Sequence, residues 1–169
     1  MAVLGLAVVH SQGAFVGLED FNSLATGPIN GQQGWVDSAG FARVVSDPAD
    51  PANHVLALTN TSANVYHALG NLTVSNSAIG TLYFRMRWPG TGFSIYAGLT
   101  DLAAPSTTSD IEAFLRCEPV APALLKVRDA TAYDPVGTME SNVWYQVWII
   151  LNNPSDLYSI YVQGGTFIN

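Results

Sequence analysis

Cysteine is nearly missing from this chain. Cys117 is the only one, so no intrachain disulfide can form and no cysteine-based zinc site can be built. It reads as a small apolar residue inside a strand. Charge is scarce as well, at 11% of 169 residues, and Lys126 is the single lysine. The net charge is −7, whereas nucleic acid and anionic membranes call for a basic surface, so neither is an expected partner. His10, His54 and His67 lie far apart, without the His-x-His or His-Glu-x-x-His spacing of zinc and copper sites. No Gly-x-Ser-x-Gly elbow and no Gly-x-x-x-x-Gly-Lys loop is present, so esterase and nucleotide chemistry lack their usual motifs. Capped three-to-four periodicity, the mark of an amphipathic helix, does not appear.

What remains is a chain that is 49% hydrophobic and punctuated by Gly and Pro throughout. Residues 141–163 carry the clearest pattern. Val143, Tyr145, Val147, Ile149 and Leu151 alternate with Trp144, Gln146, Trp148 and Ile150. Both faces of that strand are largely apolar, which predicts a sheet covered on both sides, with Trp144 and Trp148 in the core. Residues 157–162 are β-branched and aromatic enough to form the antiparallel partner, across a turn containing Pro154, Ser155 and Asp156. Residues 81–88 alternate as sharply: Leu82, Phe84, Met86 and Trp88 on one face, Tyr83, Arg85 and Arg87 on the other. Further strands are expected at residues 15–21, 41–46, 54–58, 65–69, 93–99, 111–117 and 124–128, with a proline turn at 47–51 and a polar loop at 103–109. About ten strands at this spacing predict one all-β sandwich, with Trp35 and Trp88 in its core.

Residues 2–9 form an apolar run followed by small and polar residues, like the core and cleavage zone of a secretory signal, although the basic start is missing. Residues 1–14 therefore read as a leader remnant, cut after Gly13 or Ala14, and residues 15–169 as the domain. The run is too short for a transmembrane helix, which needs about 20 apolar residues. Asn60-Thr61-Ser62 and Asn71-Leu72-Thr73 match the glycosylation pattern, a weak signal in an Asn- and Thr-rich chain. At the other end, residues 164–169 read as a strand just beginning, so C-terminal strands are expected to be missing.

Several pieces in series carry a family resemblance: Leu18-Glu19-Asp20-Phe21-Asn22-Ser23, the Gly27 to Trp35 loop, His54-Val55-Leu56-Ala57-Leu58, the stretch from Gly80 to Arg87, and the hairpin from Trp144 to Gln163. Together they resemble the concanavalin A-like jelly-roll sandwiches of the laminin-G type found in secreted bacterial proteins. The resemblance implies two curved antiparallel sheets, a secreted or cell-surface location, and a glycan bound on a sheet face or loop rim. Such sandwiches close with a C-terminal strand bearing an acidic pair. None is present here, which puts in doubt any calcium site that would use it.

Glycoside hydrolysis uses two carboxylates facing one cleft. Asp110 and Glu112 are the nearest approach, and Glu118 stands at a strand end; all three read more simply as solvated strand termini. Glu19 and Asp20, followed by an Asn- and Gly-rich loop, are the candidate ligands for calcium, the one cofactor the sequence suggests. Adjacent strand residues face opposite ways, so a plain strand-end acid pair is the alternative. Tyr83, Arg85, Arg87, Arg116 and Arg128 are the candidate ligand-binding residues. Aromatic rings stack on sugar faces, and guanidinium forks hold hydroxyls or carboxylates, so an acidic glycan suits them. Cross-strand pairing of these bases with Glu112, Glu118 or Asp129 is the structural alternative. The first expectation is a non-catalytic glycan-binding or adhesive module. A sandwich-class lyase using Tyr83, Arg85 and Tyr96, a hydrolase of that class with its acids in separate strands, and a purely structural domain of a larger surface protein stay open. Nothing in the sequence bears on oligomeric state.

Overall fold

The computed structural model describes residues 2–10, 16–60, 64–68, 74–90, 92–120, 122–129 and 132–168. The second glycosylation pattern, most of the first, and the expected cleavage zone lie outside them. Fifteen strands form among the described residues, with two single 3-10 turns (Thr108–Asp110 and Asn153–Ser155) and no α-helix. Among these residues, no helix is long and apolar enough to cross a membrane.

The strands are β1 (Ala2–His10), β2 (Val16–Glu19), β3 (Gly27–Pro28), β4 (Trp35–Asp37), β5 (Ala42–Asp47), β6 (Asp50–Leu58), β7 (Val65–His67) and β8 (Ile79–Arg87). They continue as β9 (Ile95–Leu99), β10 (Ala113–Glu118), β11 (Ala123–Asp129), β12 (Ala132–Met139), β13 (Trp144–Asn152), β14 (Leu157–Gly164) and β15 (Phe167–Ile168). Three antiparallel sheets result. The largest has nine strands in the order β15-β14-β13-β8-β1-β6-β5-β3, with β2 also on β1. The second is β12-β11-β10-β9, and the third is the pair β4-β7. The expected hairpin is present: β13 and β14 pair from Gln146↔Gln163 to Asn152↔Leu157. Asp156 turns it in the left-handed conformation at φ 52°, which a short polar residue tolerates. Residues 2–10 of the run that reads as a leader form β1, paired with β8 over eight positions.

Alternation along the strands builds the core. Leu82, Phe84 and Met86 of β8 and Tyr145, Val147 and Ile149 of β13 point inward from the nine-stranded sheet. They meet Leu115 and Cys117 of β10, Leu125 of β11 and Met139 of β12. A second cluster, Phe21, Leu24, Ile29, Trp35, Ala42, Val44 and Leu56, closes the other end under β4-β7, and Leu58 packs against both clusters. The architecture is all-β and sandwich-like, with Trp35 and Trp88 buried as expected.

Trp144 and Trp148 correct the sequence reading. Both are half-buried on the outer face of the nine-stranded sheet rather than in the core. The covered face belongs to Tyr145, Val147 and Ile149, with Val143 and Leu151 packed on the core at its ends. The strand looks apolar on both faces because its outer tryptophans pack on neighbouring arginine and tyrosine side chains. Strand β12 is an addition, since Asp134, Pro135 and Gly137 disguise it. A proline is tolerated there because β12 is an edge strand and is itself bulged at Val136, the extra residue opposite the Leu125–Lys126 step of β11.

Candidate functional site

The outer face of the nine-stranded sheet carries an aromatic and arginine strip. Because β8 exposes its odd-numbered residues and β13 its even-numbered ones, register sets the rows. Arg87 lies opposite Trp144, Arg85 opposite Gln146, and Tyr83 opposite Trp148. β14 extends the last two rows with Gln163 and Tyr161. The indole of Trp144 carries two guanidiniums, Arg85 at 4.9 Å and Arg87 at 5.1 Å from its centroid. The rings of Tyr83 and Trp148 are tilted against each other at 5.3 Å, and the Tyr83 hydroxyl donates to Gln146 Oε1 at 3.2 Å. Arg87 turns inward to Asp47, Nη1 to Oδ1 at 3.2 Å, and is nearly buried. Arg85 is exposed, and Tyr161 is 51% exposed. Arg87 is thus held in the structure, while Arg85, Tyr161 and Gln163 are open to a ligand.

Arg116 and Arg128 do not join this strip. They lie on the outer face of the four-stranded sheet, across the core from Arg85. There Phe114 is fully buried, against Tyr96 at 5.7 Å and Tyr133 at 6.0 Å, with the Arg128 guanidinium 4.8 Å over its ring. Arg128 Nη2 donates to the Ile111 carbonyl at 2.5 Å, and the Tyr158 hydroxyl donates to the Arg128 carbonyl. Arg116 stacks between Tyr96 and Tyr133, at 5.4 and 4.8 Å. Glu118 bridges Arg116 and Lys126, at 2.9 Å each. Its hydrogen bond with Lys126 and the two positive charges hold its carboxyl below the usual range. These bases are occupied within the protein.

Glu19 and Asp20 take turn-forming roles. Glu19 Oε1 accepts the Phe21 amide at 2.6 Å, and its Oε2 accepts Trp35 Nε1 at 3.4 Å. Asp20 Oδ1 accepts the Asn22 amide at 2.9 Å. Among the described residues, no three His, Cys, Asp or Glu side chains gather where one cation could bind them. His54 Nδ1 meets the Leu24 carbonyl at 3.1 Å, and His67 Nε2 the Gln33 carbonyl at 2.9 Å.

Asp110 and Glu112 separate as well. Asp110 Oδ2 accepts the amides of Ser106 and Thr107, at 2.7 and 2.9 Å, which lowers its pKa. Glu112 moves the other way: partial burial and the neighbouring Asp101 carboxylate raise it. Cys117 is buried in the core, and burial pushes its thiol up to about 12, which makes it unreactive.

No family model, curated protein or solved structure matches the chain.

Proposed function

We propose that this protein is a non-catalytic, secreted or cell-surface module of the concanavalin A-like jelly-roll type. It binds an acidic glycan on the outer face of its nine-stranded sheet. One observation carries the reading: exposed Arg85 stands one row from the Tyr83–Trp148–Tyr161 row, with Gln146 and Gln163 beside it. Tyr161 and the half-buried Trp148 present ring faces to sugar C–H groups. Arg85 holds a uronate or sulfate through its guanidinium fork, and the Gln163 amide bonds hydroxyls. Trp144 and the Arg87–Asp47 pair fix the platform before the ligand arrives, which limits the ordering entropy of binding. Glu19 is engaged in its turn, so binding is independent of calcium.

Affinity electrophoresis through alginate, polygalacturonate and a neutral β-glucan, with calcium and with EDTA, tests this. The expected result is retardation by an acidic polymer in both buffers, weakened by salt and reduced about tenfold in Tyr161→Ala. Retardation by the neutral polymer alone, or an unchanged Tyr161→Ala, counts against it.

A further inference from the structure

Strands β7 and β9 are edge strands of different sheets, and both line one cleft of about 870 Å³. Each packs on the inner side of the nine-stranded sheet. Val65 of β7 rests on the second core cluster and Ile95 of β9 belongs to the first, while Leu58, which touches both, lies in the cleft floor. Leu56, Leu82 and Leu151 line it as well. Strand β9 pairs only with β10, through Ala113↔Leu99 to Cys117↔Ile95, and β7 pairs only with β4. Among the described residues, nothing pairs with their other edges.

An unpaired backbone edge beside apolar surface is costly, because its N–H and C=O groups lose water without gaining partners. An extended peptide satisfies such an edge, and here it would meet one on each side. The charges in the cleft select further. Among the described residues, Asp101 and Glu112 are the only formally charged side chains that line it, and no Arg or Lys does. Burial and the Asp101 carboxylate beside it make Glu112 costly to ionise at the end of β9, a cost that a cation there would offset.

We propose that the cleft between β7 and β9 is a strand-acceptor site for an extended apolar peptide bearing a basic residue. The peptide adds between the two edges and joins the four-stranded and two-stranded sheets into one. Its alternate side chains lie on the half-buried Leu58 and Leu151, and its cation sits at Asp101 and Glu112. β9 offers five residues of edge, so the occupant spans about 17 Å at the usual strand rise. The site is separate from the glycan strip, which lies on the opposite face of the nine-stranded sheet.

The probe is the capped peptide Ac-Lys-Val-Thr-Val-Thr-NH₂, titrated into the full chain and followed by NMR amide exchange. Binding with at least about tenfold slower exchange at residues 95–99 and 65–67 is the expected result. An analogue N-methylated on alternate amides lacks the strand donors and should bind about tenfold more weakly. Replacing the lysine by norleucine should weaken binding to the native protein about threefold, and leave Glu112→Gln unaffected. Failure to bind at millimolar peptide, or equal binding of the N-methylated analogue, overturns the proposal; the latter would make the cleft a pocket for small apolar molecules.

Discussion

Arg87 and Asp47 form a nearly buried ion pair, with side chains 11% and 5% exposed. Trp144 covers the guanidinium, and Asp47 Oδ1 also accepts the Ala49 amide at 3.0 Å, so one carboxylate closes the β5–β6 turn and anchors β8. Removing one member of a buried pair leaves the other charge without compensation. Asp47→Asn keeps an oxygen for the turn yet strands Arg87. It should cost about 3 kcal/mol in urea unfolding, and the double variant Asp47→Asn, Arg87→Met should recover most of that.

Phe114 points away from the main core yet is fully buried. Gly98 sits directly opposite on β9, and a Cβ there would strike the Phe114 side chain and the Ala113 carbonyl. The glycine lets the β9 backbone lie close against the Phe114 Cβ and the Ala113 carbonyl. Phe114→Ala should lower stability by about 3–5 kcal/mol. Gly98→Ala should also destabilise, by overpacking, at about 1–3 kcal/mol. Both are read from denaturant midpoints.

Acid stability follows from carboxyls shifted in opposite directions. Glu118 is lowered by Lys126 and Arg116, and Glu140 is lowered by the Thr166 amide and hydroxyl. Their stabilisation is full above the unfolded carboxylate pKa and is lost as pH falls through their folded values. Glu112 is raised, so its ionisation lowers stability as pH climbs from its unfolded to its folded value. Glu112→Gln should raise Tm at neutral pH by about 1 °C and leave it unchanged at acidic pH. A thermal scan from pH 3 to 8 reads both effects.

Cys117 should be silent to thiol reagents in the native state. With its pKa at about 12, only about one molecule in ten thousand carries a thiolate at pH 8, and the side chain is buried. Labelling kinetics should follow global unfolding, and modification faster than unfolding would show that the β10 region opens locally.

Much of the fold was legible where alternation was strict. β8 and the β13–β14 hairpin follow from period two, with turn chemistry between them. Short strands such as β3 and β4 carry too few residues for a period to register. The apolar run in β1 shows a further ambiguity. A leader core and a sheet-central strand are both continuous apolar segments, so residues 2–9 fit either pattern. The site was legible within one strand and not between sheets. Tyr83, Arg85 and Arg87 share a face by alternation, but alternation does not say which sheet a strand joins. Arg116 and Arg128 were therefore grouped with them, although they lie on the opposite outer face. Tyr161 and Gln163 were missed as ligand-facing residues, yet the hairpin register alone would have placed them beside Trp148 and Gln146.

The central claim is that glycan binds the Arg85 face and not the Arg116 face. Calorimetric titration of one acidic oligosaccharide into Arg85→Ala and Arg116→Ala, side by side with the native chain, tests it most directly. The account predicts a Kd weakened at least about tenfold by Arg85→Ala and unchanged by Arg116→Ala. Equal affinities in native chain and Arg85→Ala, or a loss confined to Arg116→Ala, would contradict it.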